Sequence, residues 1–143
     1  MSAKDKSEEL LAILRLNLEN VRHREGVIGY ILRNSKSASV DINDSTKIVD
    51  YAMLSGESLE TGDMVSEIFQ LGSINSVVIE GNDLKVLSLV IEDQHVSIFM
   101  DRKVDHNKIC KELDSTKHSQ KRNASSIQSN EENQEQNEVE IPL

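Results

Sequence analysis

His106 and Cys110 stand four residues apart, a spacing that puts an imidazole and a thiol on one helix face and could yield a reactive thiolate. Ile109 and Leu113 share that face, so Cys110 reads instead as a small core residue. The histidines His23, His95, His106 and His118 are scattered, and no two have the i, i+4 spacing of a helical metal site. A single cysteine excludes an intrachain disulfide and a cysteine-based zinc site. Gly26-x-x-Gly29 lies inside a strand pattern, without the third glycine or the strand-to-helix turn of a dinucleotide fingerprint. It reads as a place where a helix packs closely on a sheet. No Gly-x-x-x-x-Gly-Lys-Ser/Thr loop exists, so the chain is not itself a P-loop GTPase. Carboxylate pairs such as Glu8–Glu9, Asp41–Asp44 and Glu131–Glu132 fall at caps, on exposed faces or near the C-terminus, rather than converging from core elements. The expectation is a non-enzyme, with no catalytic, cofactor-binding or metal-binding residue assigned.

The elements that must position any site begin with a meander of three apolar segments. Ser73–Glu80 turns through Gly81-Asn82-Asp83 into Leu84–Ile91, which turns through Glu92-Asp93-Gln94 into His95–Met100. Turns this short join only antiparallel strands. The middle strand is apolar on both faces, with Leu84, Val86 and Val90 on one and Leu87, Leu89 and Ile91 on the other. A strand that must be covered on both sides predicts helices on both sides, hence a three-layer α/β/α sandwich on an antiparallel sheet.

The flanking segments supply the layers. A first helix is expected over Lys6–Val21, with Asp5 and Glu8 as a capping box, Ser7 as a rival cap, and a stripe of Leu10, Leu11, Leu14, Leu18 and Val21. Gly26–Leu32 reads as a central strand. Beyond a turn at Asn34-Ser35-Lys36, Ser37–Ile42 alternates, with Ala38, Val40 and Ile42 inward, as an edge strand would. A long second helix should start at Asp44 or Ser45 and end near Phe69 or Gln70. Gly56 and Gly62 interrupt it, predicting either a kink or a small face of Ala52, Ser55 and Gly56 that admits another helix. A short third helix capped by Asp105 carries His106, Ile109, Cys110 and Leu113 on one face. The domain is thus expected to span residues 1–113, with one long helix on one face of the sheet and two shorter ones on the other. Residues 114–143 hold five apolar residues in thirty, which predicts a disordered, acidic polar tail, with Val139–Leu143 slightly more apolar at its end.

Hairpin adjacency and the burial patterns predict the strand order 2-1-5-4-3. Strand 3 is then an edge, yet it holds Val77, Val78 and Ile79 in succession. An apolar edge invites pairing with another chain. Two copies joined there would form one continuous sheet with their second helices side by side. The predicted homodimer interface is Ile48, Ala52, Ser55, Gly56, Leu59, Ile74, Ser76 and Val78.

Composition narrows the partners. The chain has 143 residues, with 16 basic and 25 acidic side chains and a formal net charge of -9. Without a Lys/Arg cluster it is not expected to bind nucleic acid. No apolar run approaches the ~18 residues of a membrane span, and Met1–Glu9 lacks the apolar stretch of a secretory signal, so a cytoplasmic location is expected.

Glu25–Leu32 resembles the first strand of the roadblock (dynein light chain) family. Asp41-Ile-Asn-Asp-Ser-Thr46 is similar to that family's entry into its long helix, Tyr51-Ala-Met-Leu54 to the helix itself, and Ile74–Met100 to its last three strands. The resemblance covers about residues 7 to 113 and rests on the order and spacing of the segments. It implies a dimer joined through the long helix and third strand. It further implies a prokaryotic-type member that binds a Ras-like small GTPase and modulates its nucleotide cycle, or scaffolds a complex. Arg22, Arg24, Arg33 and Arg102 are the candidates for an arginine finger, although a solvated surface role suits each. Two alternatives are a profilin-like or PAS-like domain that senses a small molecule, and a scaffold subunit of a heteromeric complex. No cofactor is implied.

Overall fold

The computed structural model describes residues 3–124. The elements follow in the order α1 (Ala3–Arg22), β1 (Val27–Arg33), β2 (Ala38–Ile42), a 3-10 turn (Ser45–Lys47), α2 (Ile48–Phe69), β3 (Ser76–Glu80), β4 (Leu84–Ile91), β5 (Gln94–Asp101) and α3 (His106–Ala124). The five strands form one antiparallel sheet of order β2-β1-β5-β4-β3, as expected from the hairpins.

The two faces of the sheet are covered differently. On one, Leu10, Leu14, Leu18 and Val21 of α1 and Ile109 and Leu113 of α3 pack on Leu87, Leu89, Ile91, Val96, Ile98 and Met100 in a core of fourteen buried residues. Truncating a fully buried leucine there, such as Leu14, costs about 2–5 kcal/mol. On the other face, beneath α2, buried apolar residues are fewer: Ile31, Val86 and Phe99 form one cluster with Ile28, Ile42, Tyr51 and Leu54 partly buried around it, and Leu59 of α2 is buried as well. Tyr51 and Phe99 pack ring against ring, 4.6 Å between centroids. Hydrophobic burial therefore holds α1 and α3 more firmly than it holds α2.

Asp105 caps α3 as expected, whereas Asp44 caps the 3-10 turn Ser45–Lys47, and α2 itself begins at Ile48 after Lys47, which makes no side-chain cap bond. The Asp44 carboxylate accepts from the Thr46 amide at 3.0 Å and the Thr46 hydroxyl at 2.6 Å, and that of Asp105 accepts from the amides of Asn107 and Lys108. Several expectations need correction. The first helix starts at Ala3, so Asp5 lies in its first turn rather than at the cap; there its charge still complements the helix dipole. The helices under the sheet are hardly shorter than α2, at 20 and 19 residues against 22. Ala38 and Val40 are on the α2 side of the sheet, in register with Arg33 and Ile31, yet both are exposed, whereas Ile42 at the other end of the strand packs half-buried with Tyr51 and Leu54 of α2. Gly26 and Gly29 make room for neighbours other than a helix. A Cβ on Gly26 would sit 2.6 Å from Val104 Cγ2, and one on Gly29 would sit 2.3 Å from the Asp41 carbonyl oxygen of β2.

The domain boundary expected at residue 113 falls inside α3, which continues to Ala124. Thr116 extends the buried face of Ile109 and Leu113 and accepts a hydrogen bond from Asn17 of α1 at 2.8 Å. Arg24 and Glu112 form an ion pair nearby. Composition alone hides this, because one buried hydroxyl per helical turn is enough to continue a packed face. The rest of the expected tail, including Val139–Leu143, lies outside the described residues.

Candidate functional site

α2 is one continuous helix through Gly56 and Gly62. Its sheet-facing side is built of small residues, with Ser55, Ser58, Gly62 and Ser66 all buried. Gly62 is required by proximity: a Cβ there would sit 2.5 Å from Val77 Cγ2 of β3. This small face, Ser55, Ser58, Gly62 and Ser66, admits the sheet of the same chain, whereas Ala52 and Gly56 of the expected small face are exposed and half-buried.

Four buried hydroxyls tie α2 to the sheet. Ser58 Oγ donates to the Ser55 carbonyl oxygen at 2.9 Å and lies 2.7 Å from Ser88 Oγ. Ser88 and Ser97, paired across β4 and β5, are 2.8 Å apart, and Ser97 is 2.6 Å from Ser55 Oγ. A carbonyl only accepts, so the Ser58 proton is committed. Ser88 must then donate to Ser58, Ser97 to Ser88, and Ser55 to Ser97. Every proton in this chain has an acceptor, so the polar layer is fully satisfied.

The opposite side of α2 faces outward with Val49 (69% exposed), Met53 (64%), Met64 and Ile68 (69%) in one stripe, followed by exposed Phe69 and Leu71. Beside it runs β3, an edge strand whose Val78 and Ile79 are 39% and 40% exposed and, being adjacent, lie on opposite faces. Single exposed apolar residues, such as Leu16 on α1, are ordinary, whereas a contiguous apolar face beside an uncovered strand edge marks an interaction surface.

The expected interface residues divide. Ala52, Ser76 and Val78 are exposed, and Ile48, Gly56 and Ile74 are half-buried at its rim. Ser55 and Leu59 are buried toward the sheet and cannot reach a partner. The exposed stripe of Val49, Met53, Met64 and Ile68 lay outside that expectation, although their spacing of four, eleven and four residues follows one helical face.

The other sequence candidates do not converge. His23 is bonded to the Glu19 carbonyl, His95 lies on β5, and His106 Nδ1 is 2.9 Å from Lys85 Nζ. Burial first, and the Asp114 charge second, push the Cys110 thiol pKa up, opposite to an activated nucleophile. Among the described residues no group of three or more His, Cys, Asp or Glu could hold a metal ion.

Of the four arginines, Arg22 Nε lies 3.2 Å from Asp41, Arg24 pairs with Glu112, and exposed Arg102 is 3.8 Å from Glu80. Arg33 has no acidic partner among the described residues. Its Nε is buried without a hydrogen-bond partner, and its Nη2 would be 3.9 Å from a Cβ at Gly56. Two of the cavities among the described residues bear on ligand binding. A polar open groove of about 740 Å³ runs between Asn82 and Lys103, and an apolar one of about 230 Å³ lies beneath α2 between Tyr51, Leu54, Ile79, Val86 and Phe99.

No family model matches the sequence, and no curated protein matches it. Solved structures do match. A Roadblock/LC7 domain from Streptomyces avermitilis aligns over 76% of this chain and 91% of its own, with a TM-score of 0.58 at 13% identity. The gliding protein MglB from Thermus thermophilus aligns over 81% and 87%, with a TM-score of 0.54 at 11% identity. Myxococcus xanthus MglB aligns over 84% and 95%, with a TM-score of 0.53 at 10% identity. At such identities the likeness is one of architecture, and the architecture of this chain is that of the roadblock/LC7 domain.

Proposed function

We propose that this chain is a non-enzymatic roadblock-type subunit that pairs with a second chain of its fold through α2 and β3, and in that paired form binds a Ras-like small GTPase. The observation that carries the reading is the outward apolar stripe of α2 beside the uncovered β3 edge. Pairing there would extend the sheet across two chains and bury Val49, Met53, Met64 and Ile68, leaving the paired helices as a platform. Any effect on GTP hydrolysis would come from holding the GTPase's own switch residues. Three of the four candidate arginines are engaged by carboxylates, and Arg33 lies against α2 rather than reaching outward. Domain likeness to MglB, a gliding protein, favours a role in organising other proteins over a chemical step.

The small-molecule sensor is less well supported. The apolar cavity under α2, at about 230 Å³, is smaller than the ~300–1,000 Å³ of ligand sites and lacks convergent polar groups. A cytoplasmic location accords with the GTPase reading; no helix among the described residues is long and apolar enough to cross a membrane. The test is to express the chain with Ras-like GTPases from the same genome. Co-purification, or a changed hydrolysis rate on addition, supports the proposal; neither effect with any of them refutes it.

A further inference from the structure

The outward face of α2 is apolar but carries charge of only one sign. Ile48–Phe69 contains Asp50, Glu57, Glu60, Asp63 and Glu67 and no lysine, arginine or histidine. All five carboxylates are exposed, and none forms a salt bridge among the described residues. Glu57 and Glu60 are interleaved with Met53 and Met64, and Glu67 adjoins Ile68, so a partner that covers the apolar stripe must also meet these charges. The cations flanking the helix are Lys47 at its start and Arg33 beside Gly56.

A second copy of the chain fits this face poorly. Self-pairing across α2 would bring five carboxylates from each copy into one seam, with little on either helix to neutralise them. Like charges so juxtaposed suppress association, which is how interfaces reject the wrong partner. We propose that the partner is a different chain, presenting apolar side chains interleaved with lysine or arginine, and that pairing through α2 and β3 is heteromeric. This departs from the homodimer expected from the sequence. It rests on the reading that α2 and β3 form the seam, and it names the chemistry of what covers them.

The test uses the full-length chain and an E57K/E60K/E67K variant, whose three substitutions lie at exposed positions. Circular dichroism and urea unfolding check that the variant folds. Sedimentation equilibrium then compares each protein alone with their equimolar mixture. The expected result is a 1:1 complex in the mixture at least about tenfold tighter than self-association of either component at ~50 mM salt. Raising salt to ~0.5 M shortens the screening length, so the mixed complex should weaken while residual wild-type self-association strengthens. That salt response of the wild type requires no variant. Wild-type dimers as tight as the mixture, and not strengthened by salt, would overturn the heteromeric inference and leave the seam standing. No association in the mixture at low salt would overturn the seam and the inference together.

Discussion

The direction of the buried hydroxyl chain makes a ranking of four single substitutions predictable. Ser88 is fully buried, accepting from Ser97 and donating to Ser58. Ser88→Ala removes the acceptor of the Ser97 proton and leaves that O–H unpaired in the interior, which costs about 1–3 kcal/mol. Ser97→Ala does the same to Ser55, and Ser58→Ala does the same to Ser88. Ser58 lies in a helix, where alanine recovers roughly 0.5 kcal/mol of propensity. Ser55 heads the chain: Ser55→Ala removes a donor but orphans none, so its loss of about 0.5–1.5 kcal/mol is largely offset by the same propensity gain. The expected order is therefore Ser88→Ala and Ser97→Ala worst, at about 2 kcal/mol each, Ser58→Ala intermediate, and Ser55→Ala near neutral. Replacing all four should cost less than the sum of the singles, because no hydroxyl is left unpaired. Urea titration reads this as a shift in midpoint at constant m-value. If Ser55→Ala is as damaging as Ser88→Ala, the directional chain is wrong.

Other outcomes follow from the same packing. Gly62→Ala should destabilise by about 1 kcal/mol, since steric conflict with Val77 outweighs the helix propensity gained, whereas Gly56→Ala, which meets nothing nearer than Arg33 Nη2 at 3.9 Å, should stabilise by about 0.5–1 kcal/mol in the same titration. The Asp44 carboxyl is held below its ordinary value of 3.8, first by the Thr46 hydroxyl and then by the Thr46 amide. Its contribution is present above pH 3.8 and is lost as pH falls through the lowered folded-state value, so Asp44→Asn, which keeps an acceptor at the cap, should flatten that part of the acid limb of a pH–stability curve. A chain ending at Leu113 should unfold at lower urea than one ending at Ala124, because it lacks Thr116 and leaves Asn17 without that partner.

Much of the fold was legible because its signals are strong and local. β4 is apolar on both faces over eight residues, the hairpins allow only antiparallel neighbours, and Asp44 and Asp105 announce their caps. The interaction face was only half legible, for a physical reason. α2 has apolar residues on both sides, Tyr51, Leu54 and Leu59 toward the sheet and Val49, Met53, Met64 and Ile68 away from it. No single stripe therefore tells inside from outside. The residues nearest the sheet are serines and a glycine, which sequence patterning assigns to a surface. Their burial becomes intelligible only with Ser88 and Ser97, 30 and 42 residues away along the chain from Ser58 and Ser55. The expected interface accordingly took in Ser55 and Leu59, which face inward, and passed over the methionines. The continuation of α3 past residue 113 was hidden similarly, because Thr116 counts as polar in composition but packs as core.

If the outward side of α2 and the β3 edge form the surface through which this roadblock-type domain engages other proteins, that surface must lose solvent when a partner binds. Hydrogen–deuterium exchange reads this loss by comparing the free full-length chain with the complex purified through it from its native source. Added protection is expected in peptides covering residues 48–80, with little change in those covering α1. Protection confined to α1 and α3, with 48–80 unchanged, would contradict it.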